Sequence, residues 1–190
     1  MVAPRNCADE WSASVTPYER VRLSRQRTAG VFPLPSVLDC IRYAITELAE
    51  YDDALLRQER TGDKRNNDKA HDPRGELGQA LYMLLSAYVQ WDEAPRGLYY
   101  PLGVDEQWIG RTLYFGALAE LGFLADYVLS TVDKETPEHE REEYRNILSK
   151  ADDAYENIYA LAMFRGWPVD ALIDDTCTRF EAKHAPQEAA

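Results

Sequence analysis

Apolar residues recur at intervals of three and four along almost the whole chain, and nowhere does a Val-, Ile- and Thr-rich run alternate with polar residues. The first pattern belongs to amphipathic helices, and the missing one to half-buried strands. The chain is therefore expected to be all-α, a helical bundle of about four to six helices. Thr16, Pro17 and Glu19 form the signature of a capped helix start, and Gly30 that of its end. This first segment carries Arg20, Arg22, Arg25 and Arg27 and few large apolar residues. Residues 1–30 thus read as an N-terminal arm or surface helix. Pro33 and Pro35 bias their predecessors away from helix and make a connector.

Ser36 then caps a long helix to about residue 60, with Leu38, Ile41, Ile45, Leu48, Leu55 and Leu56 as its apolar stripe. Further helices are expected over residues 74–91, 106–132 and 136–165, followed by a short C-terminal one. Residues 31–185 would form a single domain, completed by oligomerisation, with residues 186–190 as a disordered tail. The segment "TGDKRNNDKAHDPRG" between the second and third helices is polar, aperiodic and long for a compact domain, and loops of that length are functional or disordered.

Thirty-three acidic against 21 basic residues give a net charge of −12. Such a surface repels phosphate backbones at long range and argues against a nucleic-acid polymer as partner. A small nucleotide stays open, because a metal ion can invert the charge of a site. Cys7, Cys40 and Cys177 are far apart and fit neither a disulfide framework nor a zinc site. Cys40, within a helical pattern, reads as a small buried apolar residue. The N-terminus lacks the charged start and apolar core of a secretory signal. Glu120 and Asp126 interrupt the most apolar segment, "GALAELGFLADYVL", so no clean membrane span is expected. A cytoplasmic setting follows as the expectation.

The carboxylates are the informative polar residues. With about 100° per residue and Ile41 at zero, Glu47 falls near 240° and Glu50 near 180°. On the next helix, with Leu77 at zero, Glu76 falls near 260° and Gln79 near 200° by the same arithmetic. Both helices thus carry an i, i+3 pair rotated similarly from the apolar seam, and such pairs lie close enough to address one point. Packed antiparallel, the helices would bring three carboxylates and an amide oxygen to one cleft. Hard oxygen ligands suit Mg²⁺ or Mn²⁺. Any one such pair alone is ordinary solvated helix surface. Asp52 is different: it falls within the apolar stripe, which requires either a cleft there or a partner.

"TELAEYDDALL" followed, after a charged loop, by "RGELGQALYMLL" resembles the MazG-like, all-α NTP pyrophosphatase superfamily over about residues 36–92. The family pattern is EExxE on one helix and ExxD on the next. It falls here on Thr46, Glu47 and Glu50, and on Glu76 and Gln79. Thr46 replaces a Glu, and Gln79 replaces the Asp ligand, removing one negative charge.

The resemblance implies hydrolysis of a nucleoside triphosphate to monophosphate and pyrophosphate, in a homodimer or homotetramer. Mg²⁺ or Mn²⁺ would be held by Glu47, Glu50, Glu76 and Gln79. Glu47 and Glu50 would be catalytic, and Lys64, Arg65 and Lys69 of the long loop would grip the phosphates. A competing placement adds Asp152, Asp153 and Glu156 to the acidic set. The aromatic-rich "GLYYPLGVDEQW" would stack on a base or pack at a subunit interface.

Other chemistries lack their motifs. A di-iron bundle needs two ExxH pairs, and the chain offers only Glu181 with His184. No GxSxG and no GxxxxGK[ST] occurs. A catalytically weak or inactive bundle that binds a nucleotide or a protein stays open beside the hydrolase, and a purely structural interaction protein beside both.

Overall fold

The computed structural model describes residues 15–61, 72–96, 106–131 and 137–184. These are all-α: α1 (Pro17–Thr28), α2 (Val37–Thr61), α3 (Pro73–Trp91), α4 (Glu106–Thr131), α5 (Pro137–Phe164) and α6 (Val169–His184). Local chemistry sets the ends. At α1, Thr16 Oγ1 accepts from Glu19 N (3.2 Å) while Thr16 N donates to the Glu19 carboxylate (2.7 Å). This is the reciprocal pairing that satisfies two orphan donors of a first turn. Ser36 does the same work for α2, accepting from Asp39 N at 3.2 Å. Asp72 caps α3, and Asp92, at φ 54°, ends it in a left-handed turn. Gly166, at φ 71°, turns the chain between α5 and α6, in a conformation that favours a residue without a Cβ.

Two antiparallel hairpins form the body. Gln90 Nε2, late in α3, donates to Pro35 O just before α2 (2.7 Å). Glu47 lies beside Glu76 at the other end of the pair. In the second hairpin Lys150 of α5 meets Glu120 of α4 at 2.9 Å, and Phe164 packs over Gly110. α1 and α6 lie parallel, linked by Arg20 with Asp174 and Arg27 with Glu181, and both pack on α3.

α3 is the centre of the molecule. Leu77, Leu81, Leu84, Leu85 and Tyr88 are all fully buried. A helix apolar over most of its circumference must be covered on most sides, and here one narrow face, with Gln79 and Met83 half-buried and Gln90 exposed, is left open.

Three expectations need amending. α1 is docked along a mostly polar face: Val21, Ser24, Arg25 and Thr28 are buried against the bundle. α2 is rotated from its apolar stripe. Its fully buried face runs through Cys40, Ile41, Ala44, Leu48, Tyr51 and Ala54, centred about 70° from Ile41, while Leu56 is exposed. Small residues let α3 approach on that side, and the rotation brings Glu47 to the edge of the buried seam. Asp52 is half-buried in a cleft of ≈ 260 Å³ beside Tyr114 and Arg165, the first of its two expected settings. Finally, Ile109–Ser130 of α4 is long and apolar enough to cross a membrane by length and composition, Glu120 and Asp126 notwithstanding. Phe115 (62% exposed), Phe123 and Leu129 lie on its outer face.

Candidate functional site

Glu47 and Glu50 project from α2 and Glu76 from the first turn of α3. One carboxylate oxygen of each lies within 4.8 Å of the others. Among the described residues this is the gathering of acidic, His or Cys side chains with the spacing of metal ligands. Glu76 is buried at 4% exposure, Glu47 is half-buried and Glu50 exposed. The cluster therefore runs from the seam between the helices out to solvent.

Its electrostatics follow from that placement. Burial, a hydrogen bond with Glu76 and the charges of Glu76 and Glu50 push the Glu47 carboxyl up to about 8. Each of these disfavours the ionised form. Glu47 is thus hydrogen-bonded to Glu76 where two bare carboxylates would repel. Among the described residues no Lys or Arg forms an ion pair with Glu47 or Glu50.

Gln79 completes the pair on α3. Its Nε2 donates to Glu76 Oε2 at 2.7 Å, so the amide binds the cluster through its nitrogen. Thr46 takes no part: its hydroxyl donates back to Arg42 O, one turn earlier. Lys64, Arg65 and Lys69 lie outside the described residues, as do Cys7 and most of "GLYYPLGVDEQW".

Asp152, Asp153 and Glu156 do not join this gathering. Asp152 accepts from the Tyr88 hydroxyl (2.6 Å) and from Arg96 N (3.1 Å). Asp153 lies 3.4 Å from Lys150 Nζ. Asp152 thus ties α5 to α3, while the Asp153 contact stays within α5. Burial and the bond to Asp152 raise the Tyr88 phenol, so it stays a donor. Cys40 is buried, and burial first of all pushes its thiol up to about 11, consistent with an inert packing residue.

Sequence reasoning missed what lies beside the carboxylates. A cavity of ≈ 290 Å³ opens between α2, α3 and α6, and Glu47 and Gln79 form part of its lining. Tyr43, one turn before Glu47, stands on the α2 side, and Phe180 and His184 on the α6 side. Arg179 and Lys183 bring two cations to it. The signal was present: Thr176, Arg179, Phe180, Lys183 and His184 repeat at i, i+3, i+4, i+7 and i+8, one face of a helix. What the spacing lacks is the identity of the helix that face meets. No protein-family model, curated protein or solved structure matches the chain.

Proposed function

We propose that the chain is a divalent-metal-dependent nucleoside triphosphate pyrophosphohydrolase of the MazG-like, all-α kind. The observation that supports this reading is the convergence of Glu47, Glu50 and Glu76 from two antiparallel helices. Three oxygen donors and a nearby amide suit a hard cation, and a half-buried carboxyl pushed up by burial and by its acidic neighbours is a place where a divalent charge would be stabilised. Glu47, Glu50 and Glu76 would hold Mg²⁺ or Mn²⁺, and Gln79 would join through its carbonyl oxygen once the amide turns. When bound, the ion neutralises phosphate charge and favours attack at phosphorus.

Of this chain's residues, one of Glu47 and Glu50 would orient the attacking water. Its oxygen would bond to the α-phosphorus as that carboxylate takes its proton, the bond from that phosphorus to the bridging oxygen would break, and pyrophosphate would leave. Lys64, Arg65 and Lys69 of the long loop would grip the phosphates. Assembly as a homodimer or homotetramer in the cytoplasm belongs to the same reading, and the exposed Phe115, Phe123 and Leu129 of α4 offer an apolar surface for it.

A second reading draws on Gln79. Its amide stands in the family's Asp position and is engaged through nitrogen with Glu76. That favours a weak or inactive bundle acting as a nucleotide- or protein-binding module.

Incubation with canonical and modified NTPs and dNTPs plus Mg²⁺ or Mn²⁺ decides between them. The hydrolase releases pyrophosphate, and Glu50→Gln abolishes the release. A folded native protein that turns over nothing in the panel leaves the binding module as the function.

A further inference from the structure

The cavity between α2, α3 and α6 combines three features that the acidic cluster does not use. Its walls are aromatic. Phe180 and His184 lie 4.5 Å apart between ring centroids, and Phe32 lies 4.6 Å from His184, so they form one packed surface. Tyr43 enters from α2 and is 51% exposed, free of the packing that fixes the other rings.

Its rim is cationic. Arg179 Nε donates to Asp175 O, and neither Arg179 nor Lys183 forms an ion pair among the described residues. In a chain of net charge −12, two cations at one cavity mark a place that attracts anions against the general field.

A third cation lies behind its floor. Arg25, 3% exposed, sits behind Tyr82, Met83, Phe180 and Phe32, all of which line the cavity. Its guanidinium carbon is 4.6 Å from the Tyr82 and Phe180 centroids and 5.8 Å from that of Phe32. Nε donates to Ser86 Oγ (2.8 Å) and Nη2 to Met83 Sδ (3.2 Å), while the buried Nη1 has no hydrogen-bond partner. Among the described residues no carboxylate pairs with it. An arginine keeps its charge when buried, so the rings stand over a fixed cation.

We propose that this cavity is a nucleobase-binding subsite, in which a planar heteroaromatic ring stacks between Tyr43 and the Phe180/His184 wall while Arg179 and Lys183 take its phosphate. The proposal rests on the nucleotide reading above and gives that substrate an orientation. The ring lies toward α6, and Glu47 and Gln79, shared by cavity and cluster, mark where the phosphates cross to the carboxylates. Stacking is available to every base and needs no metal. Nucleotide binding is therefore separable from the acidic cluster.

The full-length chain, freed of metal with EDTA, is titrated calorimetrically with the common nucleoside monophosphates and with ribose 5-phosphate. At least one nucleotide binds, and the ringless sugar phosphate binds about tenfold more weakly or worse. Tyr43→Ala, at an exposed position that leaves the core intact, weakens the nucleotide about tenfold and spares the sugar phosphate. Lys183→Glu weakens both, and Asp153→Asn, on α5 and outside the cavity lining, changes neither.

The proposal is overturned if no nucleotide binds without metal, if ribose 5-phosphate matches the nucleotides, or if Tyr43→Ala binds as the native chain does. Pyrophosphate release is read separately. Turnover with an insensitive Tyr43 removes the subsite and keeps the hydrolase. Sensitive binding without turnover keeps the subsite and removes the hydrolase.

Discussion

The chain holds two acidic groups on facing helices, and they are built in opposite ways. On α4 and α5, Glu120 and Asp153 flank Lys150, and Asp152 is bound by Tyr88 and backed by Arg96. Each carboxylate there has a donor from another element or turn, and the outcome is cross-linking. On α2 and α3, Glu47 and Glu76 are bonded to each other, with Glu50 close by and an amide as the donor to Glu76. The same side-chain chemistry gives glue when a cation is interleaved; where like charges are gathered, it gives the group that the proposed function makes a metal site. The number of carboxylates does not separate the two groups; the residues between them do.

Removing the residue that joins the two regions is the harshest test of this contrast. Tyr88 is fully buried on α3 and binds Asp152 on α5. Tyr88→Ala is expected to cost about 3–5 kcal/mol in denaturant unfolding, because it opens a cavity and strips a donor from Asp152. Tyr88→Phe keeps the ring, and its smaller loss isolates the hydrogen bond.

The pH response separates the groups next. Glu47 is raised from the ordinary 4.5 to about 8 in the fold. The folded chain then binds a proton that the unfolded chain has released. Stability of the metal-free protein should therefore be highest below about pH 4.5 as far as this group is concerned, and fall as pH rises to about 8. Glu47→Gln should flatten that fall in thermal unfolding across the window, and Mg²⁺ should oppose it in the native chain. A native chain with no such slope would mean that the like charges are not in fact held together.

Smaller effects sharpen the comparison. Gln79→Asp adds a charge to the receptive group and should tighten Mg²⁺ or Mn²⁺ binding on the order of tenfold in calorimetry. Looser binding would place residue 79 outside the ligand set. Asp153→Asn removes one partner of a solvent-accessible ion pair and should change stability by no more than about 0.5 kcal/mol. It should leave metal binding and turnover unchanged.

Much of this was legible in the sequence. The capping box at Thr16 and Glu19 and the Ser36 cap rest on contacts within four residues, and such contacts are written in local order. The convergence of Glu47, Glu50 and Glu76 was legible for a related reason: two neighbouring helices joined by one loop pack antiparallel, so equal offsets meet. Gln79 stands with them, bonded to Glu76.

The rest depends on which helix meets which. Arg25 reads as one more surface cation in a basic segment until α3 and α6 supply the rings around it. The Arg179, Phe180, Lys183 and His184 face says that α6 has something to meet, without naming it. α2 shows the same limit within one helix. Its large aliphatic stripe predicts the wrong centre, because Cys40 and Ala44 let α3 come closer than leucines would.

One close approach has a wider consequence. A Cβ at Gly78 would meet Thr176 Oγ1 at 2.6 Å and Leu172 O at 3.3 Å, so α3 and α6 touch backbone to backbone at that level. Glycine inside a helix costs about 1 kcal/mol of helix stability relative to alanine, and here that cost secures proximity. A helix seated so closely has little room to slide or tilt, and Thr176 begins the α6 face that walls the cavity. The recess is thus preorganised: a guest of the right thickness is spared the ordering cost that a soft site exacts. If the proposed subsite is used, one that is too thick would meet a wall with little room to yield, and selectivity by shape would be set at a glycine that touches no guest.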